Sequence, residues 1–286
     1  MNIQKPGKEL LVLILLLVGF TIVTSCVSVV LPMFGVNIES ANAYLALQAI
    51  GQLLVFFVPV VLLMVIYRHN AKEFALLNFE GDKWKKAGVA IVVWLLFIPL
   101  IEKLALWNQN WYLGPLHEVL KEISAMSEAI VEMFLSQPGV GHLILNLVVI
   151  ALIPAITEEL FFRCGIQQLL CKIIKNPHIA IILSAVIFSA VHGDVFGFIP
   201  RVVLGLLLGY LFYYGGSILL NTTFHFVNNA ASVVLYYLNT EGFTGIDVDA
   251  PFNLTWGFGI LCALAGIGVF VVSIANTQKN EKTIKN

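Results

Sequence analysis

Charge is what this sequence has least of. Only 12% of its 286 residues are Asp, Glu, Lys or Arg, while 59% are hydrophobic. An ordinary soluble domain is about 45–50% apolar and about 25% charged, so the balance excludes a soluble globular protein and points to a polytopic membrane protein. A basic block is also missing. Sixteen Lys and Arg face 17 Asp and Glu, a net charge of −1, and no Lys/Arg run is interleaved with aromatics, which excludes nucleic acid as a partner. The four cysteines, Cys26, Cys164, Cys171 and Cys262, form no CxxC pair. Neither a disulfide framework nor a thiolate zinc site is therefore indicated, and they read as small buried hydrophobes. Internal repeats, low-complexity linkers and any soluble stretch able to fold alone are absent too, so residues 1–286 read as a single membrane domain.

Long apolar runs are what the chain has instead. A spanning helix needs about 20 mainly apolar residues, and about eight segments qualify: 9–32, 43–67, 87–107, 140–162, 178–195, 199–214, 217–238 and 253–275. The sixth is the shortest. The first has a signal-like basic start and a lipoprotein-like "VTSC", but "VSVVLPMF" keeps it apolar beyond Cys26, so an uncleaved span is expected. Basic residues in short loops set orientation. Lys5 and Lys8, then Arg68, Lys72, Lys83, Lys85 and Lys86, then Lys172 and Lys175, then Lys279, Lys282 and Lys285 all fall on one side of an eight-span chain. That side, with both termini, is expected to be cytoplasmic, and the expected location is the cytoplasmic (inner) membrane of a bacterium. Residues 108–138 then lie outside, where Leu116, Leu120, Ile123, Ile130 and Phe134 recur at roughly helical spacing as an amphipathic surface segment.

Three polar clusters interrupt the spans: Glu158, Glu159 and Arg163; "FSAVH", ending at His192; and "NTTFHFVNNA", around His225. An ionisable group in the bilayer costs ~2.5–3.5 kcal/mol on insertion scales, so it needs a partner or a task. Glu159 and Arg163 are i and i+4 and form an internal ion pair, while Glu158 points about 100° away and is left facing something else. The fourth helix is expected to run almost to Lys175, with Pro177 starting the next. Glu158 stands 17 residues before Lys175 and His192 stands 17 after it. In an antiparallel pair both lie about 26 Å from the turn, at one depth. From the turn at Gly215 and Gly216, His225 and Asn229 share a face of the seventh helix, extended by Asn221. Taken singly, each cluster also has a structural reading: an ion-pair staple, a carbonyl-bonded histidine, or an amide joining helices. Phe188 reads as helix packing, and Tyr210, Tyr213, Tyr214, Tyr236 and Tyr237 as interfacial belt residues.

With these residues in view, the sequence resembles a known family. "EELFFR" fits EExxxR, "FSAVH" fits FxxxH and "HFVNN" fits HxxxN, in the order found in the CAAX protease and bacteriocin-processing (CPBP, or Abi) intramembrane endopeptidases. The motifs fall within residues 140–238, and the N-terminal spans take no part in the likeness. The resemblance implies an all-α membrane fold and hydrolysis of a peptide bond in a membrane-associated peptide or protein. It gives Glu158 and His192 the activation of a water, His225 and Asn229 the oxyanion, and Glu159 and Arg163 supporting places. Amide hydrolysis needs just such a base and such donors. Cys164 has no histidine on an adjacent turn; Ser189 and Ser232 remain as nucleophile alternatives. The family also carries a metalloprotease label, and Glu158, His192 and His225 are a legitimate catalytic zinc set, though without HExxH pairing; the metal-free mechanism is preferred. The competing functions are a proton-coupled transporter using Glu158, His192 and Arg201, and a non-catalytic immunity protein binding a peptide in the same pocket.

Overall fold

The computed structural model describes residues 5–35, 40–76, 83–244 and 254–284. Lys285, one of the C-terminal basic residues, and residue 253, the expected start of the last span, lie outside them. The described residues are helical, with no strand among them. Without water to satisfy N–H and C=O groups, an apolar chain in lipid pairs them within each segment, and the helix does this locally. In chain order the helices are α1 (Pro6–Met33), α2 (Ala41–Tyr67), α3 (Lys83–Gln109), α4 (His117–Leu135), α5 (Val140–Ile174), α6 (Pro177–Val191), α7 (Phe198–Gly215), α8 (Ile218–Thr240) and α9 (Trp256–Ile284), with a single helical turn at Ala71–Phe74.

Among the described residues, seven helices are long and apolar enough to cross a membrane. The count differs from the expected eight at α6, which has 15 residues and not the 18 expected for 178–195, while the stretch expected to be shortest, α7, reaches 18. The cause is local. Asn176 caps the first turn of α6 by accepting from His178 and Ile179 N–H. At the other end, Gly193 takes φ +71°, a left-handed value that ends a helix at glycine without a Cβ clash. Asp194 then accepts from Phe196 N–H, holding residues 192–197 as a turn. Of the segment expected outside, 108–138, the helical part is α4, preceded by a 3₁₀ turn at Gly114–Leu116.

Helix α5 is one continuous element with π-helical stretches at Leu147–Leu152 and Leu160–Gln167, and α2 has one at Leu53–Phe57. Pro154 and Pro59 follow two of these stretches, where the missing N–H and the ring break the i→i−4 ladder. The widened turns of α2 and α5 meet, with Phe56 edge-on to Phe161 at 5.5 Å. Phe161, Phe162, Leu13, Leu63 and Ile166 centre the main apolar cluster, each fully buried. Helix α6 lies along α7, where Gly205 leaves so little room that a Cβ would stand 3.0 Å from Ala185 Cα. The α3–α9 pair flanks this unit. Glu9, buried in α1, bonds His69 at 2.8 Å and ties the first helix to the connection after α2.

Candidate active site

The charged pair at the start of the EELFFR stretch sits between the two π-helical segments of α5, and both glutamates are buried. Their side chains diverge, as consecutive helical residues must. Glu159 turns inward to Arg163 Nε at 3.0 Å, with both side chains at 0% exposure. The same carboxylate accepts Asn221 Nδ2 at 3.0 Å and meets His225 Nδ1 at 3.0 Å. The ion pair expected from the sequence is therefore present, and Glu159 anchors α8 as well as its own helix. The guanidinium of Arg163 also lies over the Phe188 ring at 5.4 Å.

Glu158 faces the other way. Its Oε1 accepts Gln52 Nε2 of α2 at 3.1 Å, and its Oε2 lies 3.9 Å from His192 Nε2 and 3.9 Å from His225 Nε2. Those two separations are too long for direct hydrogen bonds. The turn between α5 and α6 has Lys175 at φ 58°, and the antiparallel run from it brings Glu158 and His192 to one depth. Phe188, read from sequence as packing, also stands edge-on to both imidazoles, with centroids at 4.9 Å from His192 and 6.1 Å from His225.

The imidazole partners fix the proton positions. His192 Nδ1 is 2.7 Å from the Phe188 carbonyl, which can only accept, so Nδ1 carries the hydrogen and a neutral ring offers a lone pair at Nε2. His225 Nδ1 faces the Glu159 carboxylate and donates to it. Its Nε2 is the ring atom that faces Glu158 Oε2.

Asn229, the other residue expected at the oxyanion, lies one turn beyond His225 on α8. Its amide donates to the Ile150 carbonyl at 3.4 Å and accepts from Asn228, whose own oxygen takes the Trp94 indole N–H at 2.9 Å. One amide hydrogen of Asn229 has no partner among the described residues. Gln52 was missed by sequence reasoning; a glutamine in the middle of an apolar span was the signal that could have marked it. The nucleophile alternatives weaken: Ser189 donates to the Phe198 carbonyl at 2.7 Å, and Cys164 is fully buried. Arg201, the relay residue of the transporter reading, is paired with Asp194.

The loop after His192 is secured from three helices. Asp194 pairs with Arg201 of α7 and accepts Ser124 Oγ of α4 at 3.0 Å. Asn108 of α3 donates to the Val195 carbonyl and accepts Ile199 N–H. Burial would raise the Asp194 carboxyl, but the hydrogen bond and charge of Arg201, with help from Ser124 and the Phe196 N–H, hold it below its ordinary value.

Zinc is the metal that the donor types suggest. Ligands at ~2.0–2.2 Å in a tetrahedron stand about 3.4 Å apart, less than the two 3.9 Å separations at Glu158 Oε2. Among the described residues no three His, Cys, Asp or Glu side chains are grouped to hold a metal ion. Glu158 Oε2 and the two Nε2 atoms are thus spaced about 0.5 Å wider than the edge of a regular zinc tetrahedron.

An all-α polytopic membrane protein with a buried carboxylate–imidazole cluster is the class that fold and site define. Residues 140–231, about a third of the chain, match the family model described as type II CAAX prenyl endopeptidase Rce1-like. On that segment the chain is similar to the CAAX protease and bacteriocin-processing intramembrane endopeptidases. Comparison with curated proteins and with solved structures found no match.

Proposed function

We propose that the protein cleaves a peptide bond of a membrane-associated peptide or protein with a water held between Glu158 and His192, and that no metal takes part. The observation carrying this reading is the arrangement of ring nitrogens: each Nδ1 is committed elsewhere, and both Nε2 atoms face Glu158 Oε2 at 3.9 Å. A carboxylate and an imidazole lone pair are two acceptors, which together orient the two hydrogens of one water. As the water oxygen bonds to the scissile carbonyl carbon, its proton passes to Glu158. The carbonyl oxygen becomes an oxyanion, held by His225 Nε2–H and the unpartnered amide hydrogen of Asn229. Collapse breaks the C–N bond, and Glu158 returns its proton to the departing amine. Glu159 and Arg163 hold His225 in the donor state without touching the substrate.

The test is turnover of purified protein against a membrane-peptide library. Glu158→Gln is expected to lower kcat by ~10²–10⁴ with the folded protein retained. Asn229→Ala is expected to lower kcat by ~10²–10³ with KM little changed. Wild-type turnover by Glu158→Gln would overturn the base assignment. Chelation is expected to leave activity intact, and loss restored by added zinc would replace the metal-free scheme.

A further inference from the structure

A second site lies at the N-terminal end of α8, outside the polar cluster. The first turns of α3, the last turns of α7, the start of α8 and the middle of α9 enclose a groove of about 420 Å³. That volume falls within the range of small-ligand sites, about 300–1,000 Å³. Leu211 and Leu220 form a buried floor, and Phe270 joins them from α9. Tyr213 and Tyr214 stand on the rim, 46% and 36% exposed, at right angles to each other. Tyr214 also packs edge-on against Phe270 at 5.9 Å. Lys86 is half-buried beside them, with no ion pair or hydrogen bond among the described residues.

This combination selects an occupant. A half-buried ammonium with no counter-ion among the described residues calls for an anion. Tyrosines on a rim are the side chains that sit at headgroup level in a bilayer. The floor is apolar and opens between helices that span the membrane, so the anion arrives with a hydrocarbon tail. The groove lies at the helix ends that carry Lys85, Lys172 and Lys175, where the sequence concentrates its basic residues, and basic pockets between spanning helices on such a side suit anionic headgroups. We propose that this groove binds one anionic phospholipid, its phosphate at Lys86 and the upper part of an acyl chain on Leu211, Leu220 and Phe270. Leu220 adjoins Asn221, which donates to Glu159 and to the Leu208 carbonyl. A lipid seated on this floor braces the α7–α8 contact behind the polar cluster.

The experiment is native mass spectrometry of the full chain in detergent, titrated with dioleoyl phosphatidylglycerol or dioleoyl phosphatidylcholine. The wild type is expected to bind the anionic lipid about fivefold more tightly, the effect of one lysine near a headgroup. Lys86→Ala is expected to abolish the preference, Lys86→Arg to keep it, and Lys172→Ala, on the same side but outside the groove, to leave it unchanged. If Lys86→Ala does not fold, Lys86→Gln retains the aliphatic stem and removes the charge alone. Equal affinity for the two lipids in the wild type, or a preference surviving Lys86→Ala or Lys86→Gln, would overturn the proposal. Glycerol 3-phosphate binding as tightly as the lipid would also overturn it, since the acyl contact would then contribute nothing.

Discussion

Glu158 and Glu159 are neighbours in the chain, yet they live in different electrostatic surroundings. Glu159 has three donors and no exposure, and its removal strands Arg163, whose two terminal nitrogens have no hydrogen-bond partner among the described residues. Breaking a buried pair from one side typically costs 3–5 kcal/mol, about the size of a large mutational effect. Glu159→Gln is therefore expected to lower thermal stability in detergent by roughly that amount. A melting temperature equal to the wild type would show that Glu159 is not the anchor of α8. Glu158, with a single amide donor from Gln52, is expected to be silent in the same assay. The sequence separated the two by helical phase alone, but it could not show that His225 stands between them, because that depends on how α8 docks.

Helices α6 and α7 are joined at both a packing seam and a loop. The seam runs through Gly205 and Gly209, where an added Cβ would meet Ala185 Cα at 3.0 Å and Ile181 Cγ2 at 2.7 Å. Close approach of this kind is how helices associate in lipid, where no hydrophobic force draws them together. Gly205→Val is expected to cost about 1–3 kcal/mol through overpacking, read as a lowered melting temperature; an unchanged value would mean that the helices do not meet there. The loop holds His192 through Asp194, so Asp194→Asn is expected to reduce turnover by up to ~10²-fold through misplacement of the imidazole. Its pH signature has a definite sign. A carboxyl held below its ordinary value of 3.8 stabilises the fold above that pH, and the contribution is lost as pH falls further. The stability gap between wild type and Asp194→Asn should accordingly be flat at neutral pH and narrow below about pH 4. A gap independent of pH down to the acid limit would sink this account of the loop.

Across the whole molecule, charge and burial are arranged by side. The basic connections precede α1, follow α2 and separate α5 from α6, whereas α4 and the His192–Gly197 loop meet at the other end through Ser124 and Asp194. The loop-charge rule predicts both termini and Lys175 in the cytoplasm and α4 outside. In a background without the native cysteines, Ser127→Cys on α4 is expected to react with an impermeant maleimide added to intact cells, and Lys172→Cys only after lysis. The reverse pattern would invert the topology.

Sequence alone determined the membrane class, the helical content and most of the spans, because a bilayer admits only apolar segments that satisfy their own backbone. It also determined which polar residues needed explaining, since ionisable groups are conspicuous against so apolar a background, and helical phase separated Glu158 from Glu159. Tertiary structure decided the rest. The length of α6 depended on Gly193 and an Asp194 turn braced by α4 and α7; Gln52 reached Glu158 because the π-helical turns of α2 and α5 pack together; and Asn229 was drawn to Ile150 by the docking of α8 on α5. Each of these is a contact between segments distant in sequence, and neither hydropathy nor periodicity within one segment carries information about where another segment will lie.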